Sequence, residues 1–330
     1  MRHISILVPH GQFSIVNIAG ALQIFEAANQ MYVERFEKAL FEIELVGPDN
    51  PSCDLKGIYT IHPFRTLEEI KQTDLIIVPA VHAEIEEVVR INKDIIKWIK
   101  SHYKKGTEVA SFCIGIYLLA AAGILDGKIC STHWAHAAAL KAKFPLLQIK
   151  EENFITDDNG IYTSGGAYAF TNLILYLIEK FGGRTLAIDI AKIFMIDLDK
   201  GSQATFSIFQ GQKHHKDALI IKVQRAIESN FENKFTVDQL ASGHAINRRT
   251  LERRFKKATG NSINEYLQRV RVEAAKKQLE QGRKTINEVM YDVGYNDGKA
   301  FRDVFKRHSG LSPLEYKRKF DVNGVVYARS

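Results

Sequence analysis

The sequence predicts an α/β doubly wound sheet in its first two hundred residues, followed by an all-α domain with two helix-turn-helix units. Three observations carry this. From residue 3 to 122, short apolar runs alternate with helical patterns, as strand–helix–strand units do. The stretch TVDQLASGHAINRRTLERRFKKATGNSINEY at 236–266 recurs at 285–316 as TINEVMYDVGYNDGKAFRDVFKRHSGLSPLEY. Charge is split: from residue 213 onward there are 25 Lys and Arg against 14 Asp and Glu, whereas 20 stand against 24 before it. A basic second half and a near-neutral first half point to a polyanionic partner for the second half alone.

HISILVP (3–9), FEIELVG (41–47), IYTIHP (58–63), DLIIVPA (74–80) and EVASFC (108–113) read as buried strands. Helical patterns at 18–33, 85–103 and 116–122 fill the gaps. Sites in such sheets form outside the carboxyl ends of the strands. There the sequence SFCIG (111–115) puts Cys113 at a strand-to-helix elbow, where a helix N-terminus would lower its thiol pKa. His133, in STHW, follows a second short strand, GKICS, and makes a candidate partner. His136 lies three residues on, without a third metal ligand nearby, so no metal and no cofactor is expected. Gly165 and Gly166 precede a helix with Ser164 placed to cap it; an anion site is the other reading.

The block FCIG…LLAAAGILDGKICSTHW, its 20-residue Cys-to-His spacing and YTSGGAYAFTNLILYLIEKFGG (162–183) resemble the PfpI-like, class I glutamine-amidotransferase-like superfamily over 3–197. The resemblance implies a flavodoxin-like fold with the block at 162–183 as its last helix. Hydrolytic members also use an acid in the first strand-to-helix loop; here PHGQFSIVNIAG (9–20) has none, and Glu26 is the first to follow. Cys113 and His133 are therefore expected as vestigial, without a catalytic role. Cys113, Ile114, Gly115, His133 and Trp134 are expected to line a ligand pocket. The alternative is a cysteine-dependent hydrolase or lyase, acting through Cys113 and His133, with an appended DNA-binding domain.

GRTLAIDIAKIFMIDL (183–198) is amphipathic and suits a core helix or a dimer helix. The expected organisation is a sensor domain at 1–198, a linker at 199–217, a DNA-binding domain at 218–320 and a tail at 321–330. His214 and His215 fall in the linker and are read as solvated. Cys53, Cys113 and Cys130 show no paired spacing, so no disulfide framework is expected. With neither a signal-peptide pattern nor a membrane-length apolar run, a soluble cytoplasmic protein is expected.

In the repeat, Thr236 and Thr285 stand at N-caps, with Gln239 and Glu288 at the capping-box position. The offset between copies is 49 up to Ile246 and Tyr295, then 50 from Leu251 and Phe301 onward, which places one extra residue in the second turn. Gly243 and Gly294 are expected in the two turns. Leu251 and Phe255, and Phe301 and Phe305, face inward at i and i+4. The remainder of each second helix is basic, as suits a major groove. Arg249, Arg253, Lys299 and Arg302 are the candidates for base edges. Lys256, Lys257, Lys306 and Arg307 are the candidates for phosphate, with Arg248 also on the interface.

The ends ATG-S and SG-LSP-EY, the helix VRVEAAKKQLEQG and the block VGYNDGKAFRDVFKRHSGLSP resemble the AraC/XylS family over 217–330. Together the two resemblances suggest the GlxA-type regulators of that family. They imply a homodimer that recruits RNA polymerase as an activator, on double-stranded DNA with two half-motifs about one turn apart. The implied effector is a small nitrogen-containing metabolite such as an amino acid or a quaternary amine.

Overall fold

A computed structural model describes residues 1–48, 52–54, 59–198, 203–213 and 215–322. Cys53 (for its side chain), His214, residues 199–202 of the expected linker and residues 323–330 of the expected tail lie outside that description. The chain divides into two compact units, Met1–Gln203 and Ala204–Ser330.

The first unit is built on a seven-stranded sheet. Its strands are β1 (Arg2–Leu7), β2 (Phe41–Gly47), β5 (Arg65–Thr66), β6 (Leu75–Val78), β7 (Glu108–Ser111), β10 (Ile155–Asp158) and β11 (Ile161–Ser164), in the order β10-β11-β7-β6-β1-β2-β5. All neighbours are parallel except β10 and β11. The LIIV run of β6 is buried throughout, which requires cover on both faces. Helices α1 (Ile15–Phe36), α6 (Phe170–Gly182) and α7 (Arg184–Ile193) pack together. So do α2 (Ile85–Ile91), α3 (Lys93–Lys104) and α4 (Ile116–Ala121). In α7, Leu186, Ala187, Ile190 and Ala191 are buried within the unit, so the amphipathic segment is a core helix.

Three local expectations change. The segment 58–63 does not join the main sheet: β4 (Tyr59–Ile61) pairs with β3 (Ser52–Asp54), and β5 takes the edge beside β2. The helix expected over 85–103 breaks at Asn92, whose buried amide accepts the His10 N–H and donates to His10 O and Val88 O. Holding the loop after β1 outweighs continuing the helix there. The block at 162–183 opens with strand β11, and its helix starts only at Phe170. Before it, β10 and β11 form a hairpin across Asn159 (φ 51°) and Gly160 (φ 77°), an Asn-Gly turn with both central residues left-handed. GKICS forms the short β8 (Ile129–Cys130), paired with β9 (Gln148–Ile149) in a small sheet of its own.

The second unit is helical: α8 (Ala218–Ser229), α9 (Val237–Gly243), α10 (Arg248–Thr259), α11 (Ile263–Glu280), α12 (Ile286–Asp292), α13 (Gly298–Ser309) and α14 (Pro313–Phe320). It has two cores. Ile220, Val223, Ile227, Leu240, Leu251, Phe255, Ile263 and Tyr266 form one. Val272, Ala275, Leu279, Val289, Phe301, Phe305 and Tyr316 form the other. Helix α11 supplies its first turns to one core and its last turns to the other, and its 18 residues span about 27 Å. The Tyr266 hydroxyl donates to Glu228 on α8, and the Tyr316 hydroxyl donates to Glu280 on α11. The end of α11 thus does for the second module what α8 does for the first.

The expected linker is not free of structure. Residues Gln203–Thr205 form a 3-10 turn. Within the second unit, the buried Lys276 donates to Ser207 O at 2.7 Å, and Glu273 accepts the Phe209 N–H at 3.1 Å. The segment 204–209 is thereby strapped along α11.

Candidate DNA interface and ligand site

Strand β7 delivers Phe112 and Cys113 to a 3-10 turn, Cys113–Gly115, that leads directly into α4. Cys113 has φ +52°, a conformation that a side chain seldom adopts and that marks functional elbows. The turn closes because residue 115 is glycine: a Cβ there would collide with the backbone carbonyls of Pro79 and Val78.

The thiol is not the activated group expected from a helix N-terminus. Burial pushes Cys113 up to about 11. No hydrogen bond joins its sulfur to His133. His133 instead caps helix α5 (Trp134–Lys143), its Nδ1 accepting the Ala135 N–H at 3.2 Å, and its ring lies against Trp134. Burial, then the neighbouring His136, lowers the His133 pKa.

Sequence reasoning missed Tyr117, which shares a 2.8 Å hydrogen bond with His136 Nδ1. Burial raises the Tyr117 hydroxyl to about 12 and lowers His136. Only the helical spacing after the elbow, which brings residue 117 one turn beyond Cys113, could have flagged it. The elbow therefore presents neutral groups at neutral pH: a thiol, a phenol and two imidazoles. Such a site can accept and donate hydrogen bonds. Among the described residues, no group of three or more His, Cys, Asp or Glu is placed to hold a metal ion.

In the second unit, both capping boxes form, Thr236 with Gln239 and Thr285 with Glu288. Helices α10 and α13 start at Asn247 and Asp297 and end at the left-handed Gly260 and Gly310. The turn glycines differ from expectation. Gly294 is left-handed (φ +84°), but the left-handed residue of the first module is Ala245 (φ +53°), and Gly243 closes α9 in ordinary geometry. At the offset of 49, Ala245 is the true counterpart of Gly294.

With Leu251, Phe255, Phe301 and Phe305 buried, the opposite faces of α10 and α13 are left to solvent. Arg249, Arg253, Lys256 and Lys257, with Lys299, Arg302 and Lys306, are exposed on those faces. Arg248 is exposed too but pairs with Asp238 and Glu252. Arg307 donates to Gln268 on α11 at 2.9 Å. Both are surface contacts weak enough to exchange for phosphate. Arg254 differs: its guanidinium grips Asp217, the N-cap of α8, at 2.9 and 2.6 Å. It fastens α10 to α8. At the offset of 50, Glu252 corresponds to Arg302 and Arg253 to Asp303, so the two helices carry different chemistry on their outer faces.

Two family models match the chain. A helix-turn-helix domain covers residues 240–319, and the DJ-1/PfpI family covers 23–180. The HTH-type transcriptional regulator GbdR of Pseudomonas aeruginosa is 26% identical over 93% of this chain and 82% of its own length. The regulator GlxA of Rhizobium meliloti is 26% identical over 65% of this chain and 66% of its own. The chain is a DNA-binding transcription regulator, similar to AraC-type regulators. In this regulator a DJ-1/PfpI-type domain precedes the DNA-binding domain. Solved structures share the fold of the first unit. One is a protein from Vibrio parahaemolyticus described as a transcriptional regulator, with TM-score 0.52 and 22% identity over 59% of this chain and 98% of that one. Another is a ThiJ/PfpI family protein from Pseudomonas syringae, with TM-score 0.51 and 19% identity over 59% and 75%. No helix among the described residues is long and apolar enough to cross a membrane.

Proposed function

We propose that this AraC-type regulator is a ligand-responsive, sequence-specific activator, cytoplasmic and homodimeric. Its sensor domain would span 1–198, its connector 199–217, its DNA-binding domain 218–320 and its tail 321–330. The observation that carries the reading is the pair of capped helices, α10 and α13, fixed on one continuous helix with basic outer faces. Arg249, Arg253, Lys299 and Arg302 would meet base edges; Lys256, Lys257, Lys306 and Arg307, with Arg248, would meet phosphate. In the first domain, Cys113, Ile114, Gly115, His133 and Trp134 would line the effector pocket, joined by Tyr117 and His136. The effector would be a small nitrogen-containing metabolite that favours one arrangement of the DNA-binding modules and the contact with RNA polymerase. No turnover is expected, because the elbow holds a protonated thiol without a hydrogen-bonded base.

The test is selection of genomic fragments by the purified regulator across a series of salt concentrations. Discrete sites, each with two half-motifs about one turn apart, and affinity falling steeply with salt would support the reading. Weak, sequence-blind binding both with and without candidate effectors would defeat it.

A further inference from the structure

The last residue of the first unit, Gln203, turns back into that unit. It is 1% exposed. Its Nε2 donates to Thr132 O at 3.0 Å and Asn153 O at 3.1 Å, and lies 3.4 Å from Ser131 Oγ. The Ser131 hydroxyl gives its own proton to Asn153 O, which leaves its lone pairs for the amide. Three acceptors thus converge on one nitrogen. The other half of the amide fares differently: Gln203 Oε1 is buried with no hydrogen-bond partner among the described residues. The cavity is an acceptor cage, and a primary amide satisfies only half of itself there. The amide lies against Gly165, where a Cβ would come within 2.5–2.7 Å of its three terminal atoms. The cage also touches the elbow, because Thr132 offers its carbonyl to Gln203 and donates its hydroxyl to Cys113 O at 3.1 Å.

We infer that Gln203 is an internal stand-in for a ligand, and that the cage of Ser131, Thr132 and Asn153 binds small molecules ending in a nitrogen that bears at least two N–H groups. A primary ammonium fits best, since it is all donor and leaves no acceptor stranded. A primary amide follows. A quaternary nitrogen, with no N–H, gains nothing from three acceptors. The ligand competes with Gln203 for the cage, so its apparent affinity in the native chain is its intrinsic affinity multiplied by the fraction of molecules in which the cage is empty. Gln203 is followed directly by the segment that Lys276 and Glu273 strap to α11, so expelling it releases the start of that strap. This regulatory consequence rests on the sensing role proposed above; the cage itself does not.

The test is calorimetric titration of the full-length regulator with n-propylammonium, propanamide and tetramethylammonium. Gln203→Ala empties the cage. Gly165→Ala, at a position with no left-handed backbone requirement, drives the side chain out while keeping it in the chain. Both variants should bind n-propylammonium and propanamide at least tenfold more tightly than the native chain, without a gain for tetramethylammonium. Ser131→Ala on the Gln203→Ala background should remove much of that gain. Equal affinity in native and variant chains, or a matching gain for tetramethylammonium, overturns the inference. DNA affinity measured alongside separates the two ideas. Probe binding to Gln203→Ala that leaves DNA binding unchanged defeats the sensing role and spares the cage; absence of probe binding defeats the cage alone.

Discussion

Ala245 and Gly294 occupy the same left-handed position in the two modules, and only one of them is suited to it. Ala245→Gly removes the Cβ strain of that conformation and is expected to stabilise the second unit by about 0.5–1 kcal/mol. Gly294→Ala introduces the strain, and its Cβ would lie 2.5 Å from Glu232 O, so a loss beyond about 2 kcal/mol is expected. Thermal unfolding of the two variants measures both signs. Arg253 and Arg254 are adjacent with different duties: one is exposed, the other holds Asp217. Arg253→Ala should cost roughly 1–3 kcal/mol at specific sites and relax preference at one base pair. A uniform loss across all sequences would place Arg253 on phosphate instead. At the elbow, the raised Cys113 pKa makes the neutral thiol the form the fold favours. Its contribution is complete below the ordinary thiol value of 9.0 and is lost as pH climbs to about 11. Iodoacetamide labelling of Cys113 should be slow at pH 7 and rise about tenfold per pH unit toward that value, following the thiolate. Fast labelling at pH 7 would refute the buried, protonated thiol.

The elements show what a sequence can and cannot convey. Caps and periodicity are local, so the boxes at Thr236 and Thr285 and the inward pairs Leu251/Phe255 and Phe301/Phe305 were all readable. The elbow was readable too, because a cysteine between a buried strand and a helix leaves few alternatives. Asn159-Gly160 is likewise a strong local signal for the hairpin turn it forms. Other features depend on distant partners. The break at Asn92 needs the His10 backbone, the pKa of Cys113 needs the packing around it, and the anchoring of Gln203 needs carbonyls some fifty and seventy residues away. The equivalence of α8 with the last turns of α11 is likewise invisible to offset matching, since the shared role lies in Glu228 and Glu280 rather than in matched sequence. Because the two cores are distinct, local damage should stay local. Thr285→Ala removes one capping box and should cost about 1 kcal/mol. Hydrogen exchange should quicken in α12 and leave α9 unchanged; equal quickening in both would show that the cores melt as one.

At the scale of the whole molecule, the division of charge matches the division of labour: a near-neutral first half built on a sheet and a basic second half built on helices. The DNA-binding half presents two faces of unlike chemistry, so its half-motifs should differ in sequence, and a perfect repeat of one motif should bind less well than the natural pair. The helix shared by the two modules adds a constraint of another kind. Ile263–Glu280 is continuous and has a core at each end, so it fixes the rotation of α13 relative to α10 as well as their separation. DNA is itself a screw. Five base pairs inserted between the half-motifs carry the second to the far side of the duplex, and a rigid helix cannot twist to follow it. Binding to such a site should fall to that of a single half-motif, as a gel-shift comparison of the two spacings would show. The regulator would then read the helical phase of its promoter along with its letters.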